Sequence, residues 1–383
     1  MRRIVLLIAT LSLWVASAYG EIRTGADRIG EWHTALKGKR IALLANHTSM
    51  VDGRHLLDTL LSLGHKVVGV ASPEHGFRGT ADAGEKVASG IDSRTSTPIW
   101  SLYSAKNRRL TAEQIATFDV MIIDMQDVGL RFYTYYITMI RTIEQCGKYG
   151  KKVVLLDRPN PNGMYVDGPV LLPEYYSGVG ALPIPVVHGL TLGELAQMAM
   201  GEGWIDRAEV QIITCTGYTH QTRYRLPVAP SPNLRTQRAI YLYPSTCLFE
   251  GTVCSLGRGT DYPFEIYGHP AMKGCEFSFI PHSVEGAKNP PLKDVECFGV
   301  DLRGVNEEKI ITNGFDLQYI IDAYRRTSLG ESFFTPFFEK LVGVPYVRQM
   351  IIEGRSAADI KNRYADEVEQ FRTLRRKYLL YAE

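Results

Sequence analysis

Three ionisable side chains, Glu74, His75 and Arg78, fall within the run Ser72-Pro73-Glu74-His75-Gly76-Phe77-Arg78-Gly79. Pro73 and the glycines shape this run as a loop. A glutamate in such a loop can serve as general acid or base if burial raises its pKa toward neutrality. The same residues would also suit a solvated loop with a surface ion pair. Position tips the balance toward chemistry, because the loop directly follows an apolar run.

Two further carboxylates, Asp124 and Asp127, close another apolar run in Asp124-Met125-Gln126-Asp127-Val128-Gly129-Leu130-Arg131-Phe132-Tyr133-Thr134-Tyr135-Tyr136. Asp127 can either cap the following helix or act on a substrate. Asp124, a charge at the end of a buried strand, needs a partner, and Arg131 is one candidate. Tyr133 and its neighbours can form a sugar-stacking wall or belong to the core; Tyr136 is expected in the core. Asn160, in Asp157-Arg158-Pro159-Asn160, can bond sugar hydroxyls or an acetamido group, or can be an ordinary turn residue. His188 stands alone before Gly189, and a lone histidine is more often structural. Glu250 is the best second carboxylate. Downstream, Gly257 and Gly259 flank Arg258, letting backbone approach a ligand while the guanidinium forks onto an anion; Glu265 ends that stretch.

The elements that must position these residues alternate in type. Short apolar or β-branched runs at 40–46, 66–71, 119–124 and 152–157 read as buried strands. Helical periodicity occupies 53–63, 111–117 and 132–149. This is an α/β pattern with a parallel sheet covered on both faces, and the polar residues above fall at the carboxyl ends of its strands. Thr191 and Glu194 spell a capping box for a helix at 191–200. A Pro-rich stretch near 226–232 fits a crossing into a second, α+β unit, with strand-like pieces at 275–280 and 295–302 and helices at 317–326 and 357–380. The expected division is 1–20 signal peptide, 21–228 and 229–383.

The leader has Arg2 and Arg3, an apolar stretch from Ile4 to Val15 and the small-x-small Ala16-Ser17-Ala18, with cleavage expected after Ala18 or Gly20. This places the protein outside the cytoplasm, secreted or periplasmic. No later segment reaches ~18 apolar residues, so stable membrane insertion after cleavage is not expected. A net charge of +2 gives no sign of a nucleic-acid partner. The six cysteines lack zinc spacing; Cys247 with Cys254, or Cys275 with Cys297, can pair, or all can be buried thiols. Nucleotide-binding glycine motifs, HExxH and a GxSxG nucleophile elbow are missing.

Taken in order, Ala45 to Ser49, Ser72 to Gly79, Ala83 to Lys86, Asp124 to Tyr135, Asp157 to Asn160, His188 to Glu194, Ser231 to Asn233, Thr246 to Thr252 and Gly257 to Glu265 resemble the NamZ family of exo-β-N-acetylmuramidases. The resemblance implies a Rossmann-like N-terminal domain, a smaller C-terminal domain and an active site in the cleft between them. It implies release of N-acetylmuramic acid (MurNAc) from the non-reducing end of peptidoglycan-derived MurNAc-GlcNAc oligosaccharides, without metal or organic cofactor. Glu74 matches the family's loop glutamate and is the leading catalytic candidate. Glu250 or Asp124 would be base or nucleophile, or would orient the 2-acetamido group, which can itself act as nucleophile. Carboxyl groups about 5 Å apart would predict retention, and about 6.5–9.5 Å inversion. The lactyl carboxylate of muramic acid needs a fixed cation, for which Arg258, Arg78 and Arg131 are the options. His75, Asp127, Tyr133, Asn160, His188 and Glu265 complete the expected binding set. Two other readings fit parts of the pattern: a metal-dependent wall amidase or deacetylase using His47, His75, Asp124 and His188, and a non-catalytic glycan-binding protein.

Overall fold

The structure, a computed structural model, describes residues 21–74, 76–77, 89–102 and 108–383. Seven strands form its main sheet: β1 (Arg40–Ala45), β2 (Lys66–Ser72), β3 (Gly90–Ile91), β4 (Pro98–Ser101), β5 (Val120–Asp124), β6 (Lys152–Leu156) and β7 (Val210–Ile213). Their spatial order is β3-β4-β2-β1-β5-β6-β7, and every pairing is parallel except β3 with β4. Four of these strands match the apolar runs in sequence. The other three are short, and all of them carry exposed or half-buried residues, so no continuous apolar run marks them.

Both faces of the sheet are buried because β1 and β5 are apolar at every position inside them. Ile41, Leu43 and Ala45 face one core with Val120 and Ile122. There they meet α1 (Leu56–Ser62) through Leu56, Leu57 and Leu60. Ala42, Leu44, Met121 and Ile123 face the other core, which holds α3 (Tyr135–Lys148) and α4 (Leu192–Gly201) and runs on without a break into the C-terminal region. Between α1 and α3 lies the short α2 (Ala112–Ala116). A seven-residue helix replaces the expected 53–63 because Arg54–His55 pairs with Met50–Val51 as a small antiparallel ladder before α1 starts.

The C-terminal region is smaller. After α5 (Gln237–Thr246) it builds an antiparallel three-stranded sheet, in the order β8 (Ile266–His269), β10 (Cys297–Asp301), β9 (Phe277–Phe279). Helices α6 (Gln318–Thr327) and α7 (Ala357–Arg375) close it. Among the described residues no helix is long and apolar enough to cross a membrane. All six cysteines are free thiols, five of them buried.

Two buried polar devices tie distant segments to the carboxyl edge of the sheet. Asp157, just past β6, accepts from Thr191 Oγ1 at 2.7 Å, from the Gly193 N–H at 2.9 Å and from the Tyr381 hydroxyl at 2.6 Å. Glu194, the capping-box partner of Thr191, meets His220 at 2.9 Å. The guanidinium of Arg131 donates to the carbonyls of Pro169, Ile184, Leu341 and Val342 at 2.6–2.9 Å, joining the two regions.

Candidate active site

Glu74 lies two residues beyond β2. The chain turns there, with the Gly76 N–H returning to the Pro73 carbonyl at 3.2 Å, and buried Phe77 anchors the turn edge-on against the His55 ring, 4.9 Å between centroids. The Glu74 carboxylate stays half-buried. Its Oε2 accepts a hydrogen bond from Thr134 Oγ1 at 2.8 Å.

Glu250 arrives from the other region, on a short 3₁₀ turn (Cys247–Gly251) at the end of α5. Arg258 meets it with two donors, Nη2 at 2.6 Å and Nε at 3.2 Å from Oε1. The guanidinium also lies 5.0 Å from the centroid of the Phe264 ring, a cation–π distance. Gly257 is required beside it: its φ is +84°, and a Cβ there would come within 2.7 Å of the Tyr262 carbonyl. Phe264 itself is held at φ +67°, a strained setting for an aromatic residue.

These groups line one cleft with Tyr133, Tyr135, Ser231 and Tyr243. The tyrosines form an edge-to-face cluster, with Tyr133 4.7 Å from Tyr135 and Tyr243 4.8 Å from Phe264. The hydroxyls of Tyr133 and Tyr135 both donate to the Pro230 carbonyl, at 2.8 and 3.2 Å, and a ring nitrogen of His47 sits 2.8 Å from the Ala229 carbonyl. The Pro-rich crossing is thereby pinned as one wall. The cleft can therefore present two carboxylates, a paired cation and aromatic faces to a sugar.

Of the expected site residues, Glu74, Glu250, Arg258 and Tyr133 come together here, and His75 and Arg78 lie outside the described residues. The remainder stand elsewhere. Asp124 is fully buried against Arg158, with Nε–Oδ1 2.5 Å and Nη2–Oδ2 2.9 Å, so its partner is Arg158 and not Arg131. That carboxylate holds Arg158 protonated against the effect of burial. Arg131 is spent on backbone carbonyls; burial pushes its pKa down to about 10, and no face remains for a substrate. Asn160 donates to the Leu190 carbonyl and accepts from the Asn162 N–H. It presses on Gly129, where a Cβ would fall 2.2 Å from its Oδ1. His188 is buried, accepts from the Leu190 N–H at 3.2 Å and is pushed down to about 3 by burial, with Arg375 and Arg131 adding to this. Glu265 accepts from Thr236, the N-cap of α5, at 2.6 Å. Asp127 is buried and accepts from the Gly129 N–H at 2.7 Å, and burial pushes its carboxyl up to about 7.

Among the described residues no group of three or more His, Cys, Asp or Glu side chains is arranged to hold a metal ion. His47, Asp124 and His188 each have a separate partner.

Sequence reasoning passed over Thr134, because it falls inside the helical run expected over 132–149. It also passed over Tyr243 and Phe264, whose apolar surroundings read as core.

The chain matches the family models described as exo-beta-N-acetylmuramidase NamZ, N-terminal over residues 41–238 and C-terminal over residues 241–381. It is 37% identical over 385 aligned residues to the peptidoglycan beta-N-acetylmuramidase NamZ of Bacillus subtilis (strain 168), covering 94% of this chain and 92% of that protein. Crystal structures of two DUF1343 family proteins from Bacteroides fragilis NCTC 9343 share the fold. One is 51% identical with a TM-score of 0.89, covering 95% of this chain and 100% of that one. The other is 25% identical with a TM-score of 0.80, covering 94% and 99%. With both halves of the sequence matched and the Glu74–Glu250 cleft formed where they meet, the chain belongs to the NamZ family of exo-β-N-acetylmuramidases.

Proposed function

We propose that the protein is an exported exo-β-N-acetylmuramidase that releases N-acetylmuramic acid from the non-reducing end of peptidoglycan-derived MurNAc-GlcNAc oligosaccharides. The observation that carries this reading is the shared cleft: Glu74 and Glu250, from different regions of the chain, line it with Tyr133, Tyr135, Tyr243 and Phe264. Glycoside hydrolysis needs two carboxyl groups about one sugar ring, and the aromatic faces suit the apolar faces of that ring.

In this reading Glu74, oriented by Thr134, protonates the glycosidic oxygen. Glu250 is the second carboxylate and sets its negative charge against the oxocarbenium-like transition state, with Arg258 fixing its position. Asp124 takes no part, being sealed against Arg158. Export rests on the Arg2-Arg3 start, the apolar stretch to Val15 and the Ala16-Ser17-Ala18 triplet.

The test is release of free sugar from a MurNAc-GlcNAc disaccharide and from a chromogenic β-MurNAc glycoside, by wild type and Glu74→Gln, with a chelator present. Turnover by wild type and a loss of about 10²-fold or more in the folded variant are expected. A folded wild type that binds the disaccharide without cleaving it would leave a glycan-binding protein instead.

A further inference from the structure

The loop that brings Arg258 and Phe264 to the cleft also carries an aromatic ring on its outside. Its two arms, Gly257 and Arg258 on one side and Pro263 and Phe264 on the other, are buried or half-buried, while its tip at Asp261 and Tyr262 is exposed. Tyr262 keeps 39% of its surface in solvent. It stands two residues from Phe264, so the two Cα atoms are at most about 7 Å apart.

The ring is held in place. The guanidinium of Arg303 lies 3.9 Å from its centroid, a cation–π stack. Asp301, the last residue of β10, forks onto that guanidinium, with Nε 2.9 Å from Oδ1 and Nη2 2.6 Å from Oδ2. The backbone is fixed as well, since the Tyr262 N–H donates to Thr260 Oγ1 at 3.1 Å and its carbonyl accepts from the Glu265 N–H at 3.1 Å. With Arg303 over one face, the exposed area of the ring is its other face and its edge. The loop is also tied to the rim of the cleft. The Gly259 carbonyl accepts from the His282 N–H at 2.8 Å, and four residues on the Gly286 carbonyl accepts from Asn233 Nδ2 at 2.8 Å, two positions past Ser231 of the cleft wall.

We propose that Tyr262, backed by Arg303, is a stacking platform for the sugars on the reducing-end side of the scissile bond. The proposal rests on the muramidase reading and extends it from the terminal residue to the rest of the chain. An exo-acting enzyme holds one end of its substrate in the cleft, so the remaining sugars leave across the rim. N-acetylglucosamine carries no ionised group, and its ring offers an apolar face that an aromatic side chain can cover. A ring already fixed by Arg303 and Asp301 loses little freedom when a sugar settles on it.

The experiment measures release of free N-acetylmuramic acid from a methyl β-MurNAc glycoside, whose aglycone is too small to reach Tyr262, and from a (MurNAc-GlcNAc)3 hexasaccharide. Wild type, Tyr262→Ala and Tyr262→Phe are assayed on both. Tyr262→Ala should raise KM for the hexasaccharide about tenfold relative to its effect on the methyl glycoside, with kcat little changed. Tyr262→Phe should keep the hexasaccharide KM within about twofold of wild type, because the ring face makes the contact. An equal effect of Tyr262→Ala on both substrates, or an unchanged hexasaccharide KM, would overturn the platform while leaving the muramidase intact. If the folded wild type cleaves neither substrate, the muramidase reading fails, and calorimetric binding of the hexasaccharide tests the platform by itself. Binding about tenfold weaker in Tyr262→Ala would keep it; equal or absent binding would overturn it.

Discussion

Thr134 donates its hydroxyl to Glu74 at 2.8 Å although it stands at the N-cap of α3, where a threonine would ordinarily accept from the first-turn N–H groups. The helix start therefore gives up a cap and holds a carboxyl group in place. Thr134→Val should lower kcat about tenfold while KM stays within about twofold, because the group affected acts in the transition state. Thr134→Ser should restore most of the loss. Steady-state kinetics on the β-MurNAc glycoside decide this, and a Val variant with full kcat would remove Thr134 from the positioning of Glu74.

Arg131 is a staple between the two regions. Arg131→Met removes a donor from four buried carbonyls, of which Ile184 keeps the Leu171 N–H, and the expected cost is about 3 kcal/mol or more in urea unfolding at pH 7. The folded fraction should keep the wild-type KM. A raised KM with unchanged stability would instead place Arg131 in sugar recognition.

Asp127 gives stability a pH dependence of known sign. Its folded pKa of about 7 lies above the unfolded value of about 3.9. The native state thus holds a proton that the unfolded chain has released. The contribution to stability is complete below about pH 4 and is lost as pH rises toward 7. Asp127→Asn removes that loss. The unfolding free energy of the variant relative to wild type should therefore climb between pH 4 and pH 7, by up to about 4 kcal/mol. A flat difference across that range would show that the carboxyl is ionised throughout.

The thiols allow a simple check. All six are free, so a reductant should leave the melting temperature within about 1 °C, where loss of a disulfide would lower it by several degrees. A thiol reagent should react slowly with the native protein, Cys275 first because it alone is not buried, and should count six after denaturation. Fewer than six would reveal a bridge.

The parallel sheet was readable because its central strands are apolar on both faces, and the capping box at Thr191 because its two side chains are three positions apart. The strands at or next to the sheet edges, β3, β4 and β7, were not, being short and partly exposed. Site residues divide along similar lines. Glu74 and Glu250 could be named from loop position and from the family resemblance. Asp124, Asn160, His188 and Glu265 have the same residue types at similar loop positions, and nothing in a linear sequence distinguishes a polar group that faces a cleft from one that satisfies a neighbour's backbone. Arg131 is the sharpest case: its four partners lie 38 to 211 positions away, and only the packed structure brings them to one point. Arg158, the true partner of Asp124, went unassigned for the same reason.

The hydroxyl of Tyr381 reaches Asp157 across 224 positions of sequence, at the edge of the sheet where the strand ends meet the cleft. That edge is finished only when Tyr381 packs against the end of β6, and contacts of such long range form slowly. Until then Asp157 lacks one of its three donors. The carboxyl edge of the sheet is therefore among the last parts of the fold to close.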